Sequence, residues 1–198
     1  MDYKYKRRFL AGISVFILLV FYLFQSLSTS VRVLGFIFGL IVFYSIDYMF
    51  KLEFKIWHYY IILIILAFGI LFAPLYAIYT IYDKILHFVM PILASFLVYH
   101  IADRKNLSIQ WKLLITFMFM MSFLAIHEIG EYLMDLVWNM NLQGVYIRDI
   151  SGIEKLNLVV SKIDDTMIDL ILGMLGSFIF VVGKSIEHLI RGFRFKKK

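Results

Sequence analysis

The chain has no cysteine, only two prolines, and charged residues at just 17% of its 198 positions. The missing cysteines exclude disulfides, cysteine-ligated zinc and thiol catalysis. The scarcity of proline leaves long helices free of breaks. The scarcity of charge, beside 62% hydrophobic residues and a mean hydropathy of +0.85, excludes an ordinary soluble domain. A phosphate-binding glycine-rich loop, a nucleophile elbow and an internal repeat are also lacking.

What is present is membrane-spanning length. A spanning helix needs about 20 apolar residues, and segments near 9–27, 31–50, 56–75, 85–101, 111–136 and 166–186 supply them. The expectation is an all-α polytopic membrane protein, a bundle of about six transmembrane helices forming one integral domain over 1–198. The third segment has room to run past Ala73-Pro74 into an interfacial piece with Tyr76, Tyr79 and Tyr82, which fits an aromatic belt. Lys4, Lys6, Arg7 and Arg8 followed by an apolar run resemble a signal peptide. The run is long for one, and the small residues at Ser26 and Ser28 are not the preferred alanines, so a retained helix is expected.

Basic residues set the orientation. With a cytoplasmic N-terminus and six crossings, only Arg32, Lys84, Arg148, Lys155 and Lys162 of the 20 Lys and Arg residues fall outside. That asymmetry gives both termini inside and an extracytoplasmic loop over 137–163. The net charge of +6 is then a topology signal and an attraction to anionic lipid, not a nucleic-acid footprint. The 137–163 connection is long for a bundle loop and suits a lid or an interfacial hairpin.

Three strings place acid and imidazole inside this apolar chain: Asp83 to His87, His127 to Asp135, and Asp164 to Asp169. An ionisable group in a bilayer costs ~2.5–3.5 kcal/mol on insertion scales, so several of them call for a shared purpose. The expected topology puts all three strings at one depth, near the outer leaflet. Asp83/His87 and Asp165/Asp169 are i, i+4 pairs, and Glu128, Glu131 and Asp135 form one stripe with His127 at its edge. Pro91 lies one turn below His87 and would free its carbonyl, and Gly173 and Gly176 would let helices approach beneath the site.

Clustered carboxylates repel unless some are protonated or a cation joins them. With imidazole present, a divalent metal such as Zn, Mn, Fe or Mg is the expected cofactor. The candidate ligands are His87, Glu128, Glu131, Asp169, Asp165 and Asp83; Glu128, Glu131 and His127 are the candidate catalytic groups, and Arg148 a candidate anchor for a phosphate on the substrate. A blander reading sets Lys84 against Asp83 or Asp165, leaves Asp135 and Asp164 as solvated helix ends, and makes the cluster structural glue. Asp47 reads as structural, reaching the interface or pairing with Lys51, and His58, His100 and His188 read as interfacial.

At Tyr82-Asp83-Lys84-x-x-His87-Phe88, Glu128-x-x-Glu131-Tyr132-x-x-Asp135 and Asp165-Thr166-Met167-x-Asp169-Leu170 with Gly176, the chain resembles the YjdF-like family of uncharacterised inner-membrane proteins. More distantly it is similar to VanZ-like proteins, associated with glycopeptide-antibiotic resistance. Where the family commonly carries Trp before the first Glu, this chain has His127. The resemblance implies a polytopic helical membrane fold and no established reaction.

The leading expectation is therefore a multi-pass protein of the plasma or inner membrane with an outward-facing Asp/Glu/His site, acting as a metal-dependent enzyme on an amphipathic or lipid-linked envelope substrate. The alternatives are a small cation or proton transporter, and a non-catalytic membrane assembly or resistance factor. The inner halves of helices four to six hold little that is polar beyond Ser95, His100, Thr116 and Ser177, and no acid, which favours a one-sided pocket over a pathway.

Overall fold

Six α-helices and one short hairpin make up the architecture of the computed structural model, which describes residues 2–24, 27–138, 142–148 and 156–196. The helices are α1 (Tyr3–Phe24), α2 (Leu27–Met49), α3 (Ile56–Leu66), α4 (Tyr82–Asp103), α5 (Ile109–Trp138) and α6 (Lys162–Lys196). Strands β1 (Val145–Arg148) and β2 (Leu156–Val160) pair antiparallel between α5 and α6. The protein is an all-helical membrane protein apart from this hairpin. Among the described residues four stretches are long and apolar enough to cross a bilayer: Arg32–Met49 in α2, α4, α5, and Lys162–Gly192 in α6.

The third apolar segment does not continue as one helix to residue 75. Its α-helix stops at Leu66, Ala67–Leu71 widens into a π-helical turn, and Ala73–Ala77 tightens into a 3₁₀ turn. Pro74 lacks the N–H that would bond the Ile70 carbonyl, so the regular ladder cannot pass through it. The Phe72 N–H instead donates to the Ala67 carbonyl, five residues back, at 2.9 Å.

The chain divides into two compact units, Met1–Pro74 and Leu75–Lys198. In the first, Asp47 is fully buried and holds the unit together. It accepts hydrogen bonds from Lys6 Nζ at 2.5 Å, the Tyr59 hydroxyl at 2.5 Å, the Phe54 N–H at 3.2 Å and the Tyr3 hydroxyl at 3.3 Å. Lys6 is an ionic partner that the sequence did not suggest. The reversal after α2, with Lys51 and Glu53 at positive φ (49° and 53°), turns the chain so that Phe54 and Tyr59 face Asp47. His58 is buried, and its Nδ1 accepts the Lys55 N–H at 2.9 Å where α3 begins. Gly39 makes room for Leu66, which a Cβ would meet at 2.7 Å.

In the second unit α4, α5 and α6 pack against one another. The pattern is that of a soluble protein turned inside out. Phe119, Phe123, Ile126 and Ile129 of α5 are exposed, while Glu128, Thr116, Ser95, Ser177, Asp165 and Asp169 are buried. Lipid accepts the apolar faces, and polar groups gather between helices, where partners exist. Ser95, Thr116 and Ser177 each bond the carbonyl four residues back, on Pro91, Lys112 and Gly173. Pro91 lies inside a continuous α4. Gly176 is the tightest packing point: a Cβ there would run into the Phe88 carbonyl oxygen of α4. Gly173 likewise lies against Leu124 of α5.

Candidate functional site

The site is built at one end of the second unit, where α4 and α6 begin and α5 approaches its end. Helix α6 starts with a serine N-cap: Ser161 Oγ accepts the Asp164 N–H at 3.2 Å and donates to the Asp164 carboxylate at 2.6 Å. That start sets Asp165 and Asp169 on the face toward α4, both buried. One turn of α4 separates Asp83 from His87, and the phase of α5 sets Glu128 toward His87.

Two arrays result, joined at His87. In the first, His87 Nδ1 lies 3.7 Å from Glu128 Oε1, while His127 Nδ1 lies 3.9 Å from that same oxygen and 3.8 Å from Glu131 Oε1. The two imidazole rings meet edge to face at 5.5 Å. Glu128 Oε1 is buried and has no hydrogen-bond partner. In the second array His87 Nε2 faces Asp83 Oδ1 at 3.5 Å, and Lys84 ties the acids together. Its ammonium is 3.0 Å from Asp83 Oδ2 and 2.7 and 2.8 Å from the two oxygens of Asp169, and it also pairs with Asp165 Oδ1.

The structure therefore brings His87, Glu128, Glu131 and His127 together on one side, and Asp83, Asp165 and Asp169 together around Lys84 on the other. His87, His127 and Glu131 offer donor atoms within 4.8 Å of one another, as do Asp83, His87 and Asp169. Bonds of about 2.0–2.2 Å to one ion set neighbouring donors roughly 3–3.6 Å apart. The three contacts at 3.7–3.9 Å are a few tenths of an ångström longer than that and too long for hydrogen bonds, and the remaining donor pairs lie within 4.8 Å. Two nitrogens with carboxylate oxygen suit Zn, Mn or Fe better than Mg or Ca.

Asp135 lies outside both arrays. Its carboxylate accepts the Leu142 N–H at 2.6 Å and the Gln143 N–H at 3.2 Å, and pairs with Lys162 at 2.9 Å, so it pins the base of the hairpin. Asp165 pins it too, with Oδ2 accepting the Gly144 N–H at 2.7 Å. Gly144 has φ 89°, which a side chain would strain. Arg148 ends β1, but its side chain, like residues 149–155, lies outside the described residues.

Sequence reasoning gave Lys84 only a pairing role and left Tyr76 in an aromatic belt. Tyr76 packs edge-on against Tyr82 at 5.0 Å, and burial, with Asp83, Tyr82, Glu131 and Asp169 adding to it, pushes its phenol above the usual range. The position of Lys84 directly after Asp83 in an acid-rich cluster was the available signal for it; nothing in the sequence pointed to Tyr76.

Exposed apolar helices that enclose acid and imidazole side chains define a class, that of helical integral membrane proteins with a polar site between their helices. Within it, the chain belongs to the family described as Predicted membrane protein (DUF2238), whose model matches residues 7–188 and so includes every group of both arrays. No curated protein and no solved structure gives a significant match.

Proposed function

We propose that this protein is a metal-dependent membrane enzyme whose site opens toward the outer face and acts on an amphipathic, lipid-linked or other envelope substrate. The observation that carries the reading is Glu128 Oε1, a buried oxygen without a hydrogen-bond partner, facing two imidazoles at 3.7 and 3.9 Å. An uncompensated carboxylate oxygen in such a place is costly, and a bound cation removes the cost.

His87, His127 and Glu131 hold the ion, and Glu128 serves as fourth donor or as base for an attacking water. A divalent ion in this position would supply an acidified water and a Lewis acid. Asp83 faces His87 Nε2 at 3.5 Å and by its charge favours a proton on that nitrogen, which leaves Nδ1 to bind; a carboxylate behind a ligating imidazole is the usual support. Asp165 and Asp169, ligand candidates by sequence, act through Lys84. Arg148 is the proposed anchor for an anionic group on the substrate.

The proposed topology has six crossings of the plasma or inner membrane, both termini cytoplasmic and 137–163 outside. The transporter alternative is disfavoured by the buried hydroxyls of Ser95, Thr116 and Ser177, each bonded to its own helix and offering no relay of acids across the membrane.

Metal analysis of the purified protein tests the reading. Wild type should retain a divalent ion, lose melting temperature with chelator, and lose both properties in Glu131→Gln. A wild type without metal, indifferent to chelator, and a Glu131→Gln variant of equal or higher melting temperature would overturn it in favour of a structural cluster.

A further inference from the structure

The two nitrogens of His87 face two different cation positions. Nδ1 faces Glu128 and the array proposed above to hold the metal; Nε2 faces Asp83. Around the second position Asp83, His87 and Asp169 again offer donors within 4.8 Å of one another. Two such positions on opposite nitrogens of one imidazole could hold two ions bridged through the His87 ring. An ammonium already stands in the second one. Lys84 Nζ reaches both oxygens of Asp169, one of Asp83 and one of Asp165.

We propose that Lys84 is a tethered cation standing where a second metal ion would otherwise bind, and that it thereby restricts the protein to a single divalent ion. Three features of the site support this. The ammonium meets Asp83 and Asp169 at 2.7–3.0 Å, ordinary charge-assisted hydrogen-bond lengths that leave no room for an ion at metal-bond distance from the same oxygens. Lys84 follows Asp83 directly in the chain, so its charge is delivered intramolecularly and a free ion must compete with a permanently local one. Charge points the same way. Asp83, Glu128, Glu131, Asp165 and Asp169 crowd one cluster, and Lys84 with a single divalent ion offsets only part of their charge, so removing Lys84 leaves an opening that attracts a second cation.

The inference rests on the proposed metal reading only for the first ion, and its test separates the two. Full-length protein in detergent is saturated with Mn²⁺, and bound metal per chain is measured together with the Mn²⁺ paramagnetic resonance spectrum. Wild type and Lys84→Arg should bind about one ion with an isolated-ion spectrum, and Lys84→Gln about two with a spectrum broadened by the second ion nearby. Should wild type bind none and Lys84→Gln one, the role of Lys84 stands and the first site fails. Equal stoichiometry in wild type and Lys84→Gln, including none in both, overturns the inference. So does a wild type that binds two ions, a result that needs no variant to fold.

Discussion

The ammonium of Lys84 lies 2.7 and 2.8 Å from the two carboxylate oxygens of Asp169, a residue 85 positions further along the chain. The contact joins the first turn of α4 to α6 two turns past its start, and Asp165 and Asp83 add to it. It also divides the cluster electrically. Three aspartates are matched to a resident cation, while Glu128 and Glu131 face only imidazoles. Under the proposed metal reading, this asymmetry favours the glutamate side over the aspartate side for a cation from outside the chain.

Asp165 connects that cluster to the hairpin, since one of its oxygens pairs with Lys84 and the other accepts the Gly144 N–H. Asp165→Ala should strip the amide of its acceptor and loosen the hairpin base, at a cost of about 1–3 kcal/mol for an unsatisfied buried donor. Hydrogen exchange checks this: amides around Gly144 should exchange faster in the variant, while those of mid-membrane α5 stay protected. Unchanged protection at Gly144 would show that Asp135 alone anchors the hairpin.

Helix approach beneath the site gives a second prediction. Gly176→Ala places a methyl against the Phe88 carbonyl, which is backbone and cannot rotate away. Overpacking of this kind costs about 1–3 kcal/mol, and the shift of α4 should also disturb the neighbouring His87. Gly183 lies on the same helix with nothing within 4 Å of an added Cβ, so Gly183→Ala should leave stability intact or improve it. Thermal unfolding in detergent should separate the two alanines. If they melt alike, the close approach at Gly176 is unimportant to stability.

The sequence was most informative where chemistry and surroundings disagree. Asp83, His87, Glu128, Glu131, Asp165 and Asp169 stand out because apolar helices rarely carry such groups, and their three- and four-residue spacings put them on faces that do meet. What it could not show is which acid takes which partner. Asp47 has Lys51 one helical turn away in sequence, but its pairing with Lys6, 41 residues earlier, depends on how α1 packs against α2 and carries no local signal. The end of α3 was equally hidden. An unbroken apolar run carries no stop signal before Pro74, whereas backbone hydrogen bonding already changes at Ala67. The hairpin was legible only as an overlong connection, since short strands between membrane helices have weak local signatures.

Topology is open to direct test because the chain has no cysteine of its own. A single cysteine at Ser151 should react with a membrane-impermeant maleimide in intact cells, and one at Lys105 only after the membrane is opened. The expectation follows from the distribution of Lys and Arg between the two faces. Labelling of position 151 from the cytoplasmic side alone would invert the proposed site, placing its substrate inside the cell.

The last prediction concerns the buried pair in the first unit. Lys6 is 1% exposed and Asp47 0%, with 2.5 Å between their charged atoms. Breaking a buried pair from one side leaves the other charge stranded, which typically costs 3–5 kcal/mol, whereas replacing both members with apolar groups is often close to neutral. Asp47→Leu should therefore be severely destabilising, because Lys6, the Tyr59 hydroxyl and the Phe54 N–H all lose their acceptor. Lys6→Met should also destabilise, though less, since Asp47 keeps its Tyr59 and Phe54 donors. The double variant should recover much of the loss from the charge but not the part owed to Tyr59 and Phe54. Adding Tyr59→Phe to the double variant should then restore more. A thermodynamic cycle over these variants, read as melting temperatures in one detergent, gives the coupling directly. Additive losses from the two single variants would mean that Lys6 and Asp47 do not act as a pair, and that the first unit is held by its apolar contacts instead.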